Sequence, residues 1–118
     1  MPNNSYKWAS GGLLGSAEDL VRFGFAHLRT EFFSQTTLDL LLTPQKLVSG
    51  KETGVGIGWR VGLDASGRRI IHHGGSLDGG RAMLMVFPES GVAVAMLANM
   101  YADFGEKDAA AVAECFHR

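Results

Sequence analysis

Two apolar runs near the C-terminal end limit what this chain can fold into. "AMLMVF" (82–87) and "VAVAMLA" (92–98) are joined by "PESG" (88–91). Neither run alternates polar with apolar residues, so each reads as a strand covered on both faces. Pro88 presets the backbone at the start of the turn, and Gly91 takes the left-handed position at its end. The runs therefore form a tight hairpin. A hairpin buried on both sides needs partners above and below it, and the rest of the chain must supply them.

Ser16 starts a helix, with Asp19 three residues on as a short capping box. Leu20, Val21, Gly24 and Leu28 then recur at helical spacing. "SQTTLDLLLT" predicts a second helix, capped by Ser34 or Thr36 and closed by Pro44. The tail "DFGEKDAAAVAECFHR" predicts a third, with Ala109, Val112, Ala113 and Phe116 on one stripe. Between them "VGIGWRVG" (55–62) alternates, which puts Val55, Ile57 and Trp59 on one face of a strand. "DASG" (64–67) is a turn and "RRIIHH" (68–73) the next strand. The expected architecture is α+β: an antiparallel sheet of three to four strands, with two N-terminal helices and a C-terminal helix packed on it. At 118 residues the chain is expected to be a single domain, long enough to bury a real core.

Charge excludes several partners. The formal net charge is −1, from 11 basic and 12 acidic residues spread along the chain. No basic stripe suggests nucleic acid, and no polybasic run suggests a membrane surface. The longest apolar run, Val92 to Ala98, is seven residues and far short of a membrane span. "MPNNSYKW" lacks the basic and apolar parts of a signal peptide, so the expectation for the chain as written is cytoplasmic. Cys115 is the only cysteine, which rules out an internal disulfide and a thiolate zinc site. Its place in the third helix predicts a small core residue.

The stretch "HHGGSLDGG" (72–80) is where chemistry is to be sought. His72 and His73 are adjacent on a strand and point to opposite faces, so they do not share a metal ion. His27 and His117 have no useful spacing to them, and no metal or other cofactor is implied. "GGSLDGG" lies between two strands, not before a helix N-terminus, so it does not read as a phosphate loop; by itself it reads as a flexible connection. A nucleophile needs an activating partner. The serines at 5, 10, 16, 34, 49, 66, 76 and 90 begin no Ser-x-x-Lys, and none lies in Gly-x-Ser-x-Gly.

Four segments say more together than apart. "ASGGLLGSAEDLVRFGFAHL", "GVGIGW", "HGGS" and "FPESGVAVAMLANM" occur in this order. The set resembles the C-terminal portion of the serine β-lactamase-like superfamily, which includes class C β-lactamases, DD-peptidases, related esterases and LACTB-like proteins. The resemblance covers residues 8 to 116. It implies acyl transfer on a β-lactam, peptide or ester. A Ser-x-x-Lys supplies nucleophile and base, a Tyr-x-Asn shuttles a proton, and a Lys-Thr-Gly or His-x-Gly lies on a strand beside the pocket. The N–H just after that third motif is an oxyanion-hole donor. In the family the third motif precedes the Pro of the next hairpin by about the 15 residues that separate His73 from Pro88. The resemblance thus assigns His73, Gly74 and Gly75 to the third motif, Ser76 N–H to the oxyanion position, and Gly79 to the glycine of the following loop.

The first two motifs are absent. Tyr6 is followed by Lys7 and Trp8, and Tyr101 by Ala102 and Asp103, so neither makes Tyr-x-Asn. The expectation is the last third of such a hydrolase, inert alone. A second possibility is a small-molecule binding or assembly module that reuses the sheet. A third is a small hydrolase with His73 as base and Asp78 as its only nearby carboxylate. In the family a strand from the N-terminal part flanks the one corresponding to Val92–Ala98. Without it the expected partner is a second copy, a homodimer through that strand, which carries no Lys, Glu or Pro to blunt an edge.

Overall fold

The computed structural model describes residues 11–117. Its elements run α1 (Ala17–Ala26), α2 (Gln35–Leu42), β1 (Arg60–Leu63), β2 (Arg69–Leu77), β3 (Gly80–Phe87), β4 (Val92–Ala98) and α3 (Glu106–Glu114). The strands form one antiparallel sheet in the order β1-β2-β3-β4. This is the expected α+β arrangement. Among the described residues, no helix is long and apolar enough to cross a membrane.

The helix starts follow the sequence signals. Ser16 Oγ accepts the Asp19 N–H (3.1 Å), and Asp19 Oδ2 accepts the Ser16 N–H (3.0 Å). The reciprocal box satisfies two of the N–H groups that a helix start leaves free. Ser34, not Thr36, caps α2 by accepting the Thr37 N–H. "PESG" forms the expected turn, closed by a bond from Gly91 N–H to the Phe87 carbonyl.

The sheet separates two apolar layers. On one face Ile70, Met83, Met85, Phe87 and Val94 pack against Ala109 and Ala113 of α3. On the other Ile71, Leu84 and Val86 pack with Trp59 and Leu42, and Leu20 and Leu28 pack against them. Residues alternate between these layers along each strand, so β3 is buried on both faces from Met83 to Phe87. Small residues let the helices approach. A Cβ on Gly24 would stand 2.9 Å from Val86 Cγ2, which places α1 almost directly on the sheet.

Four expectations need correction. "VGIGW" is not a strand; only Arg60–Leu63 of "VGIGWRVG" is. Gly54 and Gly58 adopt positive φ (+70° and +77°), and the chain doubles back so that Val55 bridges Arg60. Val55 and Ile57 are exposed as a result, while Trp59 is buried at 4% exposure. Cys115 is exposed because α3 ends at Glu114 and Cys115 forms its C-cap. Val112 and Phe116 are likewise exposed, leaving Ala109 and Ala113 as the buried stripe. Finally, β2 runs on to Leu77, so "GGS" is strand and not a flexible connection.

Candidate functional site

The long strand β2 is interior along its first half and an edge along its second. Its pairing with β3 extends from Ile71 to Leu77, but β1 reaches only as far as His72. The direction of the free groups follows from the ladder. Asp64 N–H donates to the Arg68 carbonyl (2.9 Å) where β1 turns into β2. Bonding direction alternates along an antiparallel strand, so Ile70 and His72 bond toward β1 and Ile71, His73, Gly75 and Leu77 toward β3. Gly74 and Ser76 therefore aim their N–H and C=O groups past the end of β1. Among the described residues nothing pairs with them.

The structure brings some of the sequence-assigned residues together and separates others. Gly74, Gly75 and Ser76 line one cavity of about 380 Å³. His73 is exposed and faces the α1 side, the side it shares with Leu77. There the chain at Gly11 passes close, since a Cβ on Gly11 would stand 2.8 Å from Leu77 Cδ1. Gly79 sits with Asp78 in the two-residue turn between β2 and β3, at φ +76°, and is not part of the cavity lining. The adjacent histidines do point to opposite faces: His72 lines the cavity on the α3 side.

The cavity carries charge the sequence did not disclose. Arg60 from β1, Arg81 from β3 and Glu106 from α3 join His72 in its walls. Arg81 stands directly opposite Ser76 in the β2–β3 register. That placement follows once Asp78-Gly79 is read as a two-residue turn; Glu106 had no comparable signal. Burial pushes the His72 pKa below the ordinary histidine value; Glu106 opposes that shift, and Arg60 and His73 add to it. A second cavity of similar volume lies on α1 and the segment after it, among Arg22, Phe25, Arg29 and Phe32, with no β2 residue in its walls. Among the described residues, no three His, Cys, Asp or Glu side chains gather to hold a metal.

A family model described as Beta-lactamase matches residues 1–115, nearly the whole chain. The chain belongs to the β-lactamase family. No curated protein and no solved structure matches this β-lactamase family member. The order of the four segments carried the resemblance, and the family match bears it out.

Proposed function

We propose that this β-lactamase family chain forms the third-motif wall of a serine acyl-transfer site, acting on a β-lactam, peptide or ester, and that it is inactive without a nucleophile from outside these residues. One observation carries the reading: Ser76 lines a cavity, and among the described residues nothing pairs with its N–H at the edge of β2. When a serine attacks a carbonyl, the carbonyl oxygen becomes an anion. A backbone N–H already fixed in a sheet stabilises that charge without reorganising. Glycines at 74 and 75 let the substrate approach the backbone closely. His73 lies on the other face, at the exposed end of the same strand, available to a nucleophile on that side. The sequence supplies neither Ser-x-x-Lys nor Tyr-x-Asn.

The test compares the chain alone with the chain joined to a family segment that carries those two motifs. Alone it turns over neither a chromogenic β-lactam nor a p-nitrophenyl ester above buffer. Joined, it does, and Ser76→Pro, which removes the donor, lowers kcat by roughly 10²–10³-fold. A joined enzyme indifferent to Ser76→Pro overturns the reading. So does turnover by the chain alone that His73→Ala abolishes, which promotes His73 to a general base.

Among the described residues nothing pairs with the outer edge of β4, which favours a second reading, an assembly module. Arg81, Met83, Met85 and Phe87 of β3 bond to Ala98, Met96, Val94 and Val92, because their neighbours bond to β2. Ala93, Ala95 and Leu97 therefore direct their backbone groups outward. This edge is self-complementary: about a two-fold axis at Ala95, Ala95 meets its copy and Ala93 meets Leu97. We propose a homodimer through β4. Light scattering across dilution tests it, with Ala95→Pro and Leu97→Lys at the edge. A monomer at tens of micromolar (roughly), or a dimer indifferent to both substitutions, refutes it.

A further inference from the structure

The outer wall of the cavity is the segment that leads into α3, and two clasps hold it. Arg81 Nε donates to the Phe104 carbonyl (3.0 Å), with its guanidinium 5.9 Å from the centre of the Phe104 ring. That clasp starts from the residue opposite Ser76 and is permanently charged. The other pairs His72 Nε2 with Glu106 Oε2 at 3.5 Å, about half an ångström beyond a good hydrogen bond. The His72 side chain is 10% exposed, and its Nδ1 has no partner among the described residues. The Glu106 side chain is half-exposed.

A buried imidazole one step from a carboxylate has two states. Neutral, it leaves the gap as it stands. Protonated from solvent, its Nε2–H donates to the carboxylate, and bonds of that kind settle at about 2.7–2.9 Å. We propose that His72 is a positioning residue for the donor edge: its protonation draws Glu106 inward, brings the start of α3 toward β2 and narrows the cavity beside Gly74 and Ser76. The pair itself stands on geometry alone; its consequence for catalysis rests on the acyl-transfer reading above.

The charged surroundings set where the device works. Arg60 from β1 and Arg81 from β3 share the cavity, Glu106 faces from α3, and His73 adjoins along the chain. Burial, Arg60 and His73 all disfavour the imidazolium, and only Glu106 favours it. The transition therefore falls on the acid side of the ordinary histidine range.

The test is an NMR titration of the full isotope-labelled chain, with His72→Gln to assign the ring signal. The His72 ring is expected to titrate below its ordinary value, and the amides of Gly74, Ser76, Gly105 and Glu106 to move with the same midpoint. Glu106→Gln lowers that midpoint further and removes the shift at Gly105; Arg60→Gln raises it. Amides at Gly74 and Ser76 that ignore the His72 midpoint overturn the proposal, as does a midpoint unchanged by Glu106→Gln. No substrate enters this titration, so its failure is separate from that of the acyl-transfer reading. A chain that titrates as expected but whose joined form ignores Ser76→Pro keeps the clasp and loses the oxyanion role.

Discussion

Replacing Trp59 by alanine empties the centre of the layer between the sheet and the N-terminal helices. Trp59 is 4% exposed and belongs to the cluster of Leu42, Ile71, Leu84 and Val86. Its ring also meets His27 edge-on at 4.9 Å and lies parallel to Phe23 at 6.1 Å. A buried tryptophan removes about 200 Å² from water, an upper value of ~5 kcal/mol at ~25 cal/mol per Å². Measured aromatic-to-alanine losses of about 3–5 kcal/mol agree with that size. For a chain of this length each kcal/mol moves Tm by about 3–5 °C, so Trp59→Ala should melt roughly 10–25 °C lower. His73 is the contrast. It is exposed at the strand edge, and His73→Ala should stay within about 0.5 kcal/mol of the parent. Thermal melts followed by circular dichroism compare the two variants directly. If His73→Ala costs more than Trp59→Ala, the assignment of inside and outside at this end of β2 is wrong.

Two further outcomes follow from the corrected tail and the β1–β2 turn. Cys115, exposed at the end of α3, should react fully with a thiol reagent in native buffer; a thiol that reacts only after urea is added would return it to the core. Asp64 is held below the ordinary carboxylate pKa first by the side-chain bond from Arg68, with backbone bonds from Arg68 and Ser66 assisting. Its contribution to stability is therefore present above its ordinary pKa of 3.8 and lost as pH falls through the lower folded value. The stability deficit of Asp64→Asn, read from urea midpoints, should shrink in that acid window, and a deficit that persists there unchanged sinks the reasoning.

What could be read from sequence was what short-range chemistry decides. The continuous apolar runs at 82–87 and 92–98 left β3 and β4 little choice, and Ser16 with Asp19 fixed the start of α1 through their own side chains. The failures share a cause in long-range geometry. "VGIGW" alternates like a strand, yet Gly58 within it and Gly54 just before it occupy positive φ because the chain must reverse before β1. Helical spacing extends the α3 stripe to Phe116, but the helix ends at Glu114 and that spacing no longer applies there. Of the β2 residues that line the cavity, Gly74, Gly75 and Ser76 are legible in the sequence, whereas His73 faces the other side and His72 takes its place in the wall. Arg60 and Glu106 reach the cavity only through the fold, from positions 14 and 32 residues away from Gly74 in the sequence.

The reversal at Ile57 and Gly58 has a consequence for how such a site is kept or lost. β1 starts where that reversal ends, and Trp59, anchored in the core, fixes the point. β1 thus acts as a zipper whose slider stops at His72. A residue at 58 that preferred extended backbone would let the slider run on over Gly74 and Ser76. The donors would be spent on an ordinary sheet, with every residue of the motif still in place. In this fold the openness of the β2 edge is encoded beside the motif, in a turn that does not line the cavity.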